Sequence, residues 1–177
     1  CVCMCVCVCV CGCPGVCVCV LLTPTTSRVA FPRAQGTCNY GDGGLFEGDW
    51  SEDGRHGNGF FRNAIGDEYN GSWLHDQQSG EGSCMYADGS VYRGQWLKGV
   101  RCGKGQHRTN NQELYVGKFQ RGKRSGHGTC TYPDGNSYEG LWADGKRHGS
   151  GVLTFKNGDM YAGSFKHGLQ HGRGKLT

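Results

Sequence analysis

Residues that could do chemistry recur in this chain at a fixed interval and do not cluster. His56, His148 and His171 are separated by 23 residues or a multiple of 23, whereas a zinc site needs several ligands that converge on one point. The Gly103-Lys104-Gly105 segment has the composition of a phosphate loop, but a Ser or Thr and a helix do not follow it. The sequence therefore predicts no metal, no cofactor and no catalytic residue.

The interval itself is the strongest signal in the sequence. An aromatic residue occurs every 23 positions, at Phe46, Tyr69, Tyr92, Tyr115, Tyr138 and Tyr161. A glycine lies two positions after each, and a second aromatic lies two positions further, at Trp50, Trp73, Trp96, Phe119, Trp142 and Phe165. A Gly-x-Gly pair closes each unit. Fixed-period similarity of this kind indicates a repeat array, which offers an extended surface.

Each unit has the pattern of a β-hairpin. In Tyr138-Glu139-Gly140-Leu141-Trp142 the Tyr, Gly and Trp alternate, so they share one face of a strand. The recurrent glycines leave slots that a large neighbouring ring can cover. Asp-Gly or Asn-Gly steps at 42/43, 88/89, 134/135 and 157/158 predict tight turns. Because no segment shows a 3.6-residue apolar period, we expect no helix in the array.

These residues resemble the membrane occupation and recognition nexus (MORN) repeat. The resemblance rests on Tyr138-Glu139-Gly140-Leu141-Trp142 followed by Gly145-Lys146-Arg147-His148-Gly149-Ser150-Gly151, and it covers residues 36–177. It implies an all-β fold, an elongated single-layer antiparallel β-hairpin array of about six 23-residue repeats. It also implies a scaffolding role in cytoskeletal, ciliary or membrane-proximal assembly.

The periodic aromatics allow two interpretations. They can form a face that receives a helical or extended segment of a protein partner, since Trp and Tyr are favoured interface anchors. They can equally be the core of the sheet, which is the interpretation we favour for most of them. The candidate partner-binding residues are Tyr69, Trp73, Tyr92, Trp96, Tyr115, Phe119, Tyr138, Trp142 and Tyr161.

The positive charge of the chain is unevenly placed. The formal net charge is only +4, but the turns inside the later hairpins are basic. This candidate basic edge comprises Lys98, Arg101, Arg121, Lys123, Arg124, Lys146, Arg147 and Lys166. The simpler interpretation is a set of solvated turns; the alternative is a surface for anionic phospholipid. Nucleic acid is not favoured as a partner, because the rings needed to stack bases are needed for the sheet.

The two ends of the chain differ from the array. Residues 1–35 comprise a low-complexity Cys/Val tract and an unmatched segment, which we interpret as disordered or as a gene-model artefact in which a TG-repeat tract is read as protein. A membrane helix or a signal peptide is the alternative for that tract. We expect the array, residues 36–177, to be truncated at both ends, because it begins and stops within a repeat.

The remaining expectations concern location and function. Cys38, Cys84 and Cys130 share one repeat position about 19 Å apart, too far for disulfides, so free thiols in the cytoplasm are expected. The location may be narrowed by the resemblance to the cytoskeleton, the cilium or the membrane periphery. The function expected is a non-catalytic protein-interaction scaffold. The alternative is the regulatory region of a longer enzyme, a phosphoinositide kinase or a SET-domain lysine methyltransferase.

Overall fold

The computed structural model describes residues 17–20 and 34–177 and divides the chain after Ala87 into two compact units. Unit 1 contains β1 (Cys17–Val20), β2 (Ala34–Asn39), β3 (Leu45–Ser51), β4 (Gly54–Arg62), β5 (Glu68–Leu74) and β6 (Gln77–Met85). Unit 2 contains β7 (Val91–Leu97), β8 (Val100–Arg108), β9 (Leu114–Gln120), β10 (Lys123–Thr131), β11 (Ser137–Ala143), β12 (Lys146–Thr154), β13 (Met160–Lys166) and β14 (Leu169–Leu176).

Within each unit every strand pairs antiparallel with the next strand in sequence. The described residues contain no helix. The predicted all-β antiparallel hairpin array is therefore confirmed. Most of residues 1–35 lie outside the described residues, so our interpretation of that segment as disordered or artefactual stays a prediction.

The predicted tight turns connect the strands as expected. Between β2 and β3 the Gly43 amide donates to the Tyr40 carbonyl, and between β10 and β11 the Gly135 amide donates to the Tyr132 carbonyl, both at 3.0 Å. Gly43 and Gly135 have φ of 90° and 89°, a conformation that only glycine adopts without strain. The Asp-Gly steps thus fix the hairpin register through backbone geometry.

The two glycines of each Gly-x-Gly pair have different roles. In β8 the first, Gly103, has φ of 55° and lies at a bulge where the register with β7 shifts. The second, Gly105, pairs directly with Gly94 of β7, and the Tyr92 ring lies over it. A Cβ added to Gly105 would lie 2.5 Å from the Tyr92 hydroxyl oxygen. The predicted slot for a ring is therefore confirmed.

The tyrosine hydroxyl completes this arrangement. Tyr92 donates to the carbonyl of Gln95 at 3.0 Å, Tyr115 to that of Lys118 at 2.9 Å and Tyr138 to that of Leu141 at 2.9 Å. The acceptor residues lie beside the bulges, where the ladder between strands is interrupted. Each buried ring therefore satisfies a carbonyl for which the bulge leaves no regular strand partner.

The ring slot predicts a large effect of one methyl group. Gly105→Ala is expected to lower the free energy of unfolding by about 2–3 kcal/mol, because the fully buried Tyr92 ring has nowhere to move. Gly99→Ala, in the turn of the same hairpin, is the control: its φ is 75° with nothing within 4 Å, so only backbone strain of about 1 kcal/mol is expected. Urea denaturation followed by fluorescence measures both, and equal losses would contradict the slot.

Candidate functional site

The periodic rings pack edge-to-face on one face of each unit. In unit 1 the Trp73 ring contacts the rings of Phe46 and Tyr69, with centroids 5.3 Å apart in both pairs. In unit 2 the centroids of Tyr115 and Phe119 lie 5.2 Å apart, and those of Tyr115 and Trp142 lie 5.1 Å apart. Edge-to-face pairs at these distances stabilise a core beyond simple burial. The face that carries them is called the ring face below.

The structure buries nearly all of the predicted partner-binding aromatics. Tyr69, Trp73, Tyr92, Trp96, Tyr115, Phe119, Tyr138 and Trp142 are at most 5% exposed, and Tyr161 is half-buried. Their placement agrees with the core interpretation. A partner that reaches the ring face therefore meets the residues that lie over these rings.

Arginines lie over the rings at one repeat position. The guanidinium carbon of Arg55 is 4.3 Å from the Trp73 ring centroid, that of Arg101 is 5.7 Å from Phe119, that of Arg124 is 5.2 Å from Trp142 and that of Arg147 is 5.4 Å from Phe165. Cation–ring contacts at these distances are attractive, and the arginine stems also shield apolar surface.

The same arginines connect each hairpin to the next. Arg147 Nη2 donates to the Gly168 carbonyl at 2.6 Å, and the Gly168 amide donates to the Arg147 carbonyl at 2.9 Å. Arg101 and Gly122 exchange the same pair of bonds at 3.1 and 3.0 Å. These arginines are therefore structural ties between adjacent hairpins.

The predicted basic edge accordingly divides into two groups. Arg101, Arg124 and Arg147 are half-buried and engaged with rings, whereas the other five are exposed: Lys98, Arg121, Lys123, Lys146 and Lys166. Of the exposed five, Lys123 makes a 3.4 Å ion pair with Asp144. Only the exposed group is available to an anionic surface.

A polar network interrupts the ring face of unit 2. Arg124 makes a 2.5 Å ion pair with Glu113, and the buried Cys130 thiol donates to the same carboxylate at 3.5 Å. Burial raises the pKa of Cys130 to about 12. Burial, and then the charges of Arg101 and Arg124, lower the pKa of His107 to about 4. His107 is therefore neutral near pH 7, and Cys130 is a protonated thiol with no nucleophilic character.

Unit 1 contains a cavity on its ring face. Its volume is about 370 Å³. Three half-buried rings, Tyr40, Trp50 and Phe61, contribute to its wall. The remaining lining residues are Cys38, Asp42, Gly44, Gly54, Arg55, Asn63 and Asp76. We call this the Trp50 cavity.

Sequence reasoning missed the Trp50 cavity, although the repeat alignment contains its signal. At the position of Gly44 the later repeats carry Asp67, Ser90, Glu113, Asn136 and Asp159, so only the first unit lacks a side chain there. Phe61 likewise stands where later repeats have Cys84, His107, Cys130 and Leu153. These departures from the repeat, and not its consensus, mark the cavity.

Other kinds of site have no support in the described residues. Among them, no group of three or more His, Cys, Asp or Glu side chains is arranged to hold a metal ion. No helix within residues 17–20 and 34–177 has the length and apolar character needed to cross a membrane.

Comparison with known proteins identifies the repeat. The family model of the MORN repeat matches residues 46–68, 69–91, 92–112, 115–137, 138–160 and 161–177. No curated protein sequence matches the chain.

Two solved structures are similar at low identity. The SAS-4 (dCPAP) TCP domain of Drosophila melanogaster, in complex with a proline-rich motif of Ana2, has 15% identity and a TM-score of 0.43; the match covers 88% of this chain and 95% of that one. The TCP10 domain of Danio rerio CPAP, in complex with a STIL peptide, has 12% identity and a TM-score of 0.44, covering 82% and 62%. These values are too low to bear on function.

The division of the basic edge predicts opposite outcomes for neighbouring residues. Arg147→Ala is expected to lower the free energy of unfolding by about 1–3 kcal/mol, because it removes the ring contact and leaves the Gly168 carbonyl without its donors. Lys146→Ala, at the exposed adjacent position, is expected to change it by less than about 0.5 kcal/mol. Urea denaturation measures both, and an equal response would contradict the tie.

The His107 environment predicts a pH dependence. The folded chain binds a proton at His107 less tightly than the unfolded chain, where the pKa is near 6.5, so protonation favours unfolding. Stability should fall as the pH drops from about 6.5 to about 4. Arg101 and Arg124 oppose that proton, while Asp88 and Glu113 favour it.

Replacement of the histidine isolates this contribution. His107→Gln should flatten the fall in melting temperature between pH 6.5 and pH 4 relative to the unaltered chain. His127→Gln, at a side chain that is 63% exposed, is the control and should leave the curve unchanged. Parallel curves for all three proteins would show that His107 does not contribute.

Proposed function

Because this chain belongs to the MORN repeat family, we propose that it is a non-catalytic scaffold that binds a segment of a protein partner. Its place would be the cytoplasm, at the cytoskeleton, the cilium or the membrane periphery. The Trp50 cavity is the observation that carries the proposal. Elsewhere on the ring face the periodic rings are buried beneath arginines, whereas here Tyr40, Trp50 and Phe61 are half-exposed around an open volume.

The size of the cavity limits what can enter it. Ligand sites in proteins typically have volumes of about 300–1,000 Å³, and the Trp50 cavity, at about 370 Å³, is at the lower end. It accommodates one or two side chains and not a whole helix. The partner is therefore an extended segment that places one anchor in the cavity, since aromatic pockets that bury an anchor are typical binding hot spots.

The exposed part of the basic edge supports a second candidate function, the binding of anionic phospholipid. Lys98, Arg121, Lys146 and Lys166 project from unit 2 without a described acidic partner. Each basic residue near an anionic membrane contributes about 1 kcal/mol, and salt weakens that attraction.

The lipid candidate has a direct test. Vesicles containing phosphatidylserine should bind the chain at low salt, and Lys98→Glu with Arg121→Glu should reduce that binding about tenfold or more. Val116→Ser, on the opposite face of the sheet, is the uncharged control. Absence of binding at low salt, or binding that is unaffected by the charge reversals, would exclude this function.

The alternative role as the regulatory region of a longer enzyme concerns sequence beyond these residues. Full-length transcript sequencing tests it. Reads that continue into a lipid-kinase or SET domain would establish the regulatory role, and reads that contain only further repeats would favour the scaffold.

Peptide selection tests the main proposal. Random dodecamer peptides displayed on phage should yield sequences that bind the full chain, and Tyr40→Ala should weaken that binding about tenfold or more, because it removes a cavity wall. Tyr132→Ala is the matched control: it is the same repeat position in unit 2 and does not line the cavity. Circular dichroism verifies that both variants are folded.

A gentler variant protects this test from a folding defect. Phe61→Leu introduces the residue found at the same repeat position as Leu153, and it should also weaken binding. Failure to enrich any peptide, or peptides that bind all three variants as tightly as the original chain, would contradict the proposal.

A further inference from the structure

The Trp50 cavity differs from the rest of the ring face in one respect that indicates its ligand. Four second-position rings, Trp73, Phe119, Trp142 and Phe165, have an arginine guanidinium over them at 4.3–5.7 Å from the ring centroid. Trp50 has no described cation over its ring, and its indole N–H is engaged in a 3.1 Å bond to the Gly36 carbonyl.

The repeat explains why Trp50 differs. Each of those arginines precedes the ring that it covers by 18 residues, as Arg55 precedes Trp73. The residue 18 positions before Trp50 is Pro32, which has no charge to offer. The sequence therefore does not supply at Trp50 the cation that it supplies at the other four rings.

The charged groups of the cavity favour a cation as well. Its lining contains one arginine and two aspartates, which leaves one net negative charge. Arg55 is neutralised by Asp76, since Arg55 Nε and Asp76 Oδ1 lie 3.0 Å apart. Asp42 is exposed, and its described hydrogen bond, from the Gly44 amide at 2.9 Å, uses only Oδ1. Asp42 Oδ2 is therefore directed to neither of these partners.

We infer that the Trp50 cavity binds a lysine or arginine side chain of an extended partner segment; this rests on the proposed function. The apolar stem lies against the rings of Tyr40, Trp50 and Phe61, as long basic side chains do on apolar surfaces. The cationic head approaches the Trp50 ring and pairs with Asp42. The partner thereby completes the ring–cation contact that the chain makes for itself in four other repeats.

The Gly44 position allows this approach. At the corresponding place in unit 2 the Glu113 side chain occupies the ring face and binds Arg124. Gly44 leaves that place open beside Asp42 and Tyr40, within the cavity lining. Unit 2 thus pairs its own carboxylate with its own arginine, whereas unit 1 offers a carboxylate and a ring to a cation from outside.

The experiment uses the peptides selected on the full chain. Enriched sequences should share a lysine or arginine, and replacing that residue by norleucine, which keeps the stem and removes the charge, should weaken binding about fivefold or more. Asp42→Asn should weaken the charged peptide to a similar degree and leave the norleucine peptide unaffected. Isothermal titration calorimetry measures the four combinations.

A matched control exists in unit 2. Asp134 occupies the same turn position as Asp42, and its Oδ1 accepts the Asn136 amide at 2.9 Å. Asp134→Asn should therefore leave peptide affinity unchanged. Asparagine retains the oxygen that accepts the turn amide in both variants, so the folds should be preserved.

Each result has a defined meaning. Loss of affinity confined to Asp42→Asn and to the charged peptide supports the inference. Binders without a basic residue, or equal effects of Asp42→Asn and Asp134→Asn, would overturn it while leaving the scaffold proposal intact. Failure to obtain any binder would overturn both.

Discussion

The packing of one large ring over a pair of glycines is the constraint on which each hairpin depends. The ring of Tyr92 occupies the place where side chains of Gly94 and Gly105 would stand, and its hydroxyl satisfies the Gln95 carbonyl beside the bulge. One side chain thus provides apolar burial and completes the backbone hydrogen bonding of its hairpin. Because every hairpin repeats this solution, the period of 23 residues tolerates no insertion between ring and glycines.

Rings on a sheet without an opposing layer would face water, and arginines provide the missing cover. A guanidinium is planar, lies flat on an aromatic face and retains donors for hydrogen bonds in its own plane. Arg147 uses both properties when it covers Phe165 and donates to the Gly168 carbonyl. Much of what a sequence displays as a basic edge is therefore part of the core. Lysine at these positions would lose the flat contact and the fork of donors.

Function in such an array follows from departures from the repeat. Where the consensus is kept, ring, glycine and arginine satisfy one another and leave little for a partner. Where it is broken, as at Gly44, a side chain that would fill the ring face is missing. The His107, Glu113 and Arg124 network is a second departure, but its charges are paired within the chain. The first departure opens toward a ligand, and the second affects stability and its dependence on pH.

The sequence by itself determined the period, the antiparallel hairpins and the turn positions, because alternation and Asp-Gly steps act locally along the chain. It also allowed the prediction that rings cover glycine slots. It could not separate Arg147 from Lys146, since the two have the same charge and are adjacent in sequence; only the strand pairing places one over a ring and the other in solvent. Nor could it reveal the Trp50 cavity, whose wall joins residues from β2 to the β5–β6 turn. Contacts between hairpins depend on side-chain direction across several strands, and only the tertiary structure decides that.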